Sequence, residues 1–125
     1  MPLSALQPSQ LYISAHKLAL VERRRATPAT IEPVPVKKLG RSIVMTDGHT
    51  RAVAAVRAGL RRVPVYWEDE ELSWEMYRVC VRWCRRAGIR TPAALSRRIV
   101  SHADYEQLWY ARCSRMQERL GGCRA

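Results

Sequence analysis

Two hydrophobic rhythms meet in the middle of the chain. Ser42-Ile43-Val44-Met45-Thr46 is short and rich in β-branched residues, which predicts a strand. Ala52 to Ala58 is crowded with alanine, which predicts a helix able to lie close against a sheet, and Gly59 stands where a left-handed C-cap is wanted. Val63-Pro64-Val65-Tyr66-Trp67 predicts the next strand. Together they make a strand-loop-helix-strand unit whose connection is right-handed if its strands lie parallel in one sheet.

Upstream, Pro2 and Pro8 punctuate the chain, and Leu11-Tyr12-Ile13 suits a short edge strand. Ala15 to Arg25 predicts a helix with Leu18 and Val21 facing inward, broken before Thr27-Pro28 and ending on Arg23-Arg24-Arg25, where cations suit the dipole. Val34-Pro35-Val36 predicts an edge or unpaired strand, because Pro35 has no N–H to donate.

Past the acidic turn Glu68 to Glu71 the period changes to that of helices. Met76, Cys80, Trp83, Cys84 and Ala87 fall on one stripe, ended by Gly88. Thr91-Pro92 opens a short helix to about Ile99. Ser101 to Asp104 caps a third helix, whose stripe is Tyr105, Leu108, Trp109, Cys113, Met116 and Leu120, ended by Gly121-Gly122. The expected class is α+β in a single domain, with residues 1–68 as the core and 69–125 as a helical extension.

Composition narrows the partners. At 125 residues the chain can bury roughly two thirds of its unfolded surface in one core. It has no apolar run near the roughly 18 to 20 residues that cross a bilayer and no signal-peptide pattern, so a cytoplasmic protein without a membrane partner is expected. The net charge is +11, and residues 1–67 carry 11 Lys+Arg against 3 Asp+Glu. Such a field draws phosphates, whether on nucleic acid or on a small nucleotide; it also fits codon bias toward solvated arginines. Cys80 and Cys84, four apart, suit burial on a helix, and Cys113 with Cys123 makes no convincing second zinc pair, so free thiols and no structural metal are expected.

The loop Asp47-Gly48-His49-Thr50-Arg51 carries the candidate chemistry. A phosphate wants free N–H groups at a helix start, a glycine that lets the chain come close, and a fixed cation. Gly48 supplies the turn, the N–H groups of about His49 to Ala52 supply donors, and Arg51 supplies a planar fork. Thr50 adds a hydroxyl. His49 adds an imidazole that can donate a hydrogen bond or exchange protons near neutral pH. Asp47 is repelled by phosphate unless it holds Mg²⁺ or accepts a hydroxyl proton; alternatively it is a turn residue paired with Arg51.

Ile43 through Ala55 with Val63-Pro64-Val65 resembles the nucleotide-binding core of the ParB/sulfiredoxin-like superfamily. Pro8 to Ser14, Lys17-Leu18, Pro33 to Val36 and the segment from Trp83 to Cys113 look like its bacterial and archaeal ParB-like members, so the likeness spans most of the chain. Sulfiredoxins place a catalytic cysteine after the loop glycine, where this chain has His49. Segregation proteins carry Gly-Glu-Arg-Arg and continue into a DNA-reading helix-turn-helix, and of that loop only Gly48 and Arg51 match.

Asp-Gly-His-Thr-Arg looks most like the free-serine kinase branch, which implies a small mixed sheet with flanking helices, a bound nucleotide (ATP, ADP or CTP) and Mg²⁺. It also implies a second acid from the N-terminal part. The acids before Asp47 are Glu22 and Glu32, and Gln10 is a further residue at that place. The resulting expectation is a small-molecule phosphotransferase with Asp47 and His49 catalytic and Gly48, His49, Thr50 and Arg51 on the nucleotide. Its rivals are a nucleotide-binding regulatory module without turnover, and a nucleic-acid binder or nuclease using Arg23 to Arg25, Lys37 and Lys38. Oligomeric state stays open.

Overall fold

The computed structural model describes residues 1–24 and 30–121. The predicted helix end at Arg25, the Thr27-Pro28 break, Gly122 and Cys123 lie outside the described residues.

The chain is a mixed α and β fold. A 3₁₀ turn at Leu3–Ala5 leads into β1 (Leu6–Gln7), and β2 (Ile13–Ser14) runs directly into α1 (Ala15–Glu22). Then come β3 (Val34–Leu39), β4 (Ser42–Met45), α2 (His49–Arg57) and β5 (Val65–Trp67). The rest is α3 (Trp74–Arg86), α4 (Pro92–Leu95), β6 (Ile99–Val100), α5 (His102–Tyr105), a π-helical turn (Glu106–Tyr110) and α6 (Ala111–Gly121).

Among the described residues the strands form a sheet in the order β1-β4-β3-β5 and a separate pair, β2-β6. β4 is antiparallel to β3 while β5 is parallel to it, so β4 and β5 run in opposite senses with β3 between them. The condition for a right-handed crossover from β4 to β5 is therefore not met.

β3 is central, against the expectation of an edge strand. Pro35 pairs with β5 on one side, and on the other its carbonyl accepts the N–H of Thr46 at 3.1 Å. In that antiparallel pairing the missing N–H of Pro35 would face the Thr46 carbonyl. The Tyr77 hydroxyl takes its place, donating to Thr46 O at 2.9 Å. A side chain from α3 thus repairs the ladder that proline breaks, which local sequence cannot foresee.

α2 lies between two hydrophobic clusters. Ala52 and Ala55 face Leu6, Val34, Val36 and Met45 of the sheet side. Val53 and Ala54 face Leu11, Leu18, Cys84, Leu95 and Trp109. The small side chains allow that double burial, and Gly59, at φ 81, closes the helix as expected. The helices beyond residue 68 share the second cluster with residues 11 to 54.

The helix expected to reach Ile99 stops at Leu95. β-branched Ile99-Val100 pairs in parallel with Ile13-Ser14 instead, the Ile13 N–H donating to Arg98 O at 3.0 Å and Arg98 Nε to Leu11 O at 2.7 Å. Two further corrections concern the stripes. Ala87 is exposed and Val81 is buried in its place. Leu108 is 41% exposed although its spacing predicts it inside, because the π turn holds an extra residue and the helix phase shifts to bury Trp109.

Candidate functional site

β4 ends at Met45 and α2 begins at His49, so Thr46, Asp47 and Gly48 make the turn between them. Gly48 caps the helix at φ 77 and ψ 18, the left-handed region. A Cβ placed there would come within 2.9 Å of an Arg51 guanidinium nitrogen. The position demands glycine for its backbone angle, whereas the Arg51 guanidinium, at the far end of a flexible side chain, would only have to shift. First-turn N–H groups have no acceptor inside the helix, which leaves those of His49, Thr50 and Arg51 for a ligand. The N–H of Ala52 donates to Gly48 O at 3.0 Å, so the donor set is shorter than the expected His49 to Ala52.

Asp47 is exposed, and its Oδ1 accepts the Gly48 N–H at 2.8 Å. Gly48 therefore shapes the turn and spends its own N–H within it. Arg51 pairs elsewhere than with Asp47: Nη1 donates to Pro33 O at 2.8 Å and lies 3.6 Å from Glu32 Oε2. A phosphate would share the fork with Glu32, whose own side chain is exposed.

His49 departs from expectation. Its ring is 4% exposed, and Nε2 accepts the Ser9 N–H at 3.0 Å. Burial holds its pKa down to about 4, against an upward pull from Asp47 and with a smaller push from Arg51. The ring is neutral at pH 7, so it does not exchange protons near neutrality as its residue type suggests. It fastens the segment before β2 to α2, and Ser9 Oγ adds a bond to Met45 O at 2.6 Å. Sequence names the histidine but not its burial, which depends on residues 40 positions away.

The loop forms one side of a cavity of about 470 Å³, a size suited to a small ligand. Asp47, Gly48, His49, Thr50 and Arg51 all line it, so the predicted site residues come together. Leu20, Val21 and Ile31 give it an apolar wall. Arg24 and Glu32 lie at its edge, 3.8 Å apart. Of the two candidate second acids, Glu32 lines the cavity and Glu22 does not; Glu22 bonds Arg57 Nε at 2.9 Å across α1 and α2.

Three further lining residues, Gln10, Lys17 and Tyr105, lie outside the Asp47 to Arg51 loop. Gln10 Nε2 donates to Tyr12 O at 2.8 Å and to Tyr105 Oη at 3.0 Å, which ties the wall to α5. Lys17 from α1 sits 5.2 Å from the Tyr105 ring centre and donates to Tyr110 Oη at 2.5 Å. Tyr105 lines the cavity although it reads as a core position, because it closes the helical stripe and the pocket at once. Lys17 enters the sequence reading only through the Lys17-Leu18 likeness, with no chemistry assigned to it.

Arg51, Arg24 and Lys17 oppose Asp47 and Glu32 in this cavity. Lys37 and Lys38 belong to β3, with Lys37 Nζ 5.0 Å from the Trp74 ring centre, and neither lines the cavity. Among the described residues, no group of three or more His, Cys, Asp or Glu side chains is placed to hold a metal ion, and no helix is long and apolar enough to cross a membrane.

No protein-family model matches the chain, and no curated protein matches it. Among solved structures it is similar to the crystal structure of protein Atu1540 from Agrobacterium tumefaciens, with 18% identity and a TM-score of 0.44. The match covers 74% of this chain and 48% of that one, so the chain spans about half the length of that relative. A likeness this loose carries no inference about activity.

Proposed function

We propose that this chain is a ParB/sulfiredoxin-like nucleotide-binding protein that transfers a phosphoryl group to a small hydroxyl substrate. One observation carries the reading: two carboxylates, Asp47 and Glu32, open with Arg51, Lys17 and the first turn of α2 onto a single cavity. The N–H groups of His49 to Arg51 and the Arg51 fork suit the phosphates, and Leu20, Val21 and Ile31 suit the apolar part of a nucleotide.

Asp47 keeps one carboxylate oxygen outside its bond to Gly48, which fits a Mg²⁺ ion that retains waters and phosphate oxygens for its other ligands. That ion would neutralise phosphate charge. Where no ion holds that oxygen, it accepts the proton of the substrate hydroxyl instead, and Glu32, held by Arg24 and Arg51, orients the acceptor from the far edge. His49 stays neutral and positions the loop.

The test is calorimetric titration of ATP, ADP and CTP with Mg²⁺, followed by phosphate-transfer assays on small hydroxyl compounds. Transfer that falls roughly 100-fold or more in Asp47→Asn, with nucleotide still bound, agrees with the assignment. Tight binding without product from any acceptor overturns transfer and leaves a regulatory nucleotide module. No binding of any nucleotide overturns both.

A further inference from the structure

α3 presents an arginine face that the cavity does not use. Arg78, Arg82, Arg85 and Arg86 are all exposed, and at spacings of three and four they fall on one side of the helix, away from buried Cys80 and Cys84. The one acid of α3, Glu75, lies in its first turn. Among the described residues the side chains of Arg78, Arg82 and Arg86 have no ion pair or hydrogen bond. Arg85 is anchored, donating to Gln7 Oε1 at 3.3 Å and to Ser42 Oγ. That anchor sets the C-terminal end of the stripe beside exposed Arg41, the neighbour of Ser42.

The helix dipole favours cations in the last turn, which accounts for Arg85 and Arg86 and leaves Arg78 and Arg82 without a reason. Arg78 with Arg82, and Arg82 with Arg86, are like charges four apart, an arrangement that destabilises a helix unless an anion answers it. We propose that this stripe docks on the phosphate backbone of double-stranded DNA. Arg78 to Arg86 covers about 12 Å of helix. That is the axial length of roughly three to four phosphates on one strand, and guanidinium forks clasp phosphate oxygens in pairs.

The surroundings of the stripe choose this partner over other polyanions. A lipid surface needs an apolar helix face free to enter it, and that of α3, with Cys80, Val81 and Cys84, is buried. Single strands need exposed aromatic platforms. The tryptophans of α3 are half-buried, Trp74 against Tyr77 and Lys37, Trp83 against Trp109 and Arg112. The major groove of A-form RNA shuts out side chains, whereas the B-form groove, about 12 Å wide, admits a helix between its flanking phosphates. Contacts to phosphates fix position and read no base sequence. The stripe shares no residue with the track through Lys37 and Lys38 that the sequence suggests, and it is independent of what the cavity binds.

The test is fluorescence anisotropy of the full chain with a labelled random duplex of about 20 base pairs, between roughly 50 and 200 mM salt. Log affinity should fall linearly with log salt. Arg78→Gln, Arg82→Gln and Arg86→Gln combined should weaken binding roughly 10-fold or more at the lower salt and flatten the slope by about 2 to 3. Lysine at the same three positions should keep the slope, because counterion release follows charge. Arg61→Gln, Arg62→Gln and Arg97→Gln combined remove the same exposed charge elsewhere and should change affinity by less than about threefold. Circular dichroism checks folding; should the first triple variant unfold, protection of Arg78, Arg82 and Arg86 from phenylglyoxal by the duplex in the parent decides. Equal losses in the two glutamine variants, an affinity insensitive to salt, or no protection overturns the proposal. So does binding to single strands, RNA duplex or phosphatidylserine vesicles that matches or exceeds binding to the DNA duplex.

Discussion

Acid should destabilise this protein through His49. In the unfolded chain the imidazole titrates near 6.5, and in the folded protein burial holds it to about 4. Its folded pKa is lowered, so the contribution is fully present above pH 6.5 and is lost as pH falls from 6.5 toward 4, where both states are protonated. The gap of about 2.5 units corresponds to about 3 kcal/mol, with a slope approaching 1.4 kcal/mol per pH unit within the window. That is a large share of the roughly 5 to 15 kcal/mol that a domain holds.

Urea unfolding followed by tryptophan fluorescence at pH 4 to 8, in the parent and in His49→Gln, measures it. Carboxylate titration is common to both, so the difference between the two curves isolates His49. That difference should be flat above about pH 7 and fall steeply below 6.5. Parallel curves, or an NMR titration placing the folded His49 imidazole near 6.5, would refute the reasoning.

Other consequences follow from the same geometry. Gly48→Ala should cost about 1 to 2 kcal/mol from its left-handed backbone alone and shift Arg51, with a smaller penalty when combined with Arg51→Ala; strictly additive costs in urea melts would show that the close approach is unimportant. Tyr77→Phe should cost about 1 to 3 kcal/mol by orphaning the Thr46 carbonyl, and Pro35→Ala should recover part of that loss by returning an N–H to it; an unrescued double variant argues against the repair. Glu32→Gln should depress phosphate transfer while Glu22→Gln leaves it within twofold, as read by initial rates; equal effects would remove Glu32 from the site.

Much of the site is legible in the sequence alone. Gly48 before the start of α2 is legible as a tight turn that leaves first-turn N–H groups free, because that requirement is local: one backbone angle and one turn of helix. Strands Ser42–Met45 and Val65–Trp67, helix α2 and its glycine stop are legible for the same reason, since period and punctuation are short-range properties. Tertiary structure decided what those residues do. It placed Glu32 and not Glu22 in the cavity, buried His49 so that it no longer titrates near neutrality, and gave Pro35 a central strand by sending Tyr77 to the open carbonyl. It also paired Ile13-Ser14 with Ile99-Val100. Each of these depends on a partner far along the chain, and burial and charge at a residue are set by what packs against it, not by its neighbours in sequence.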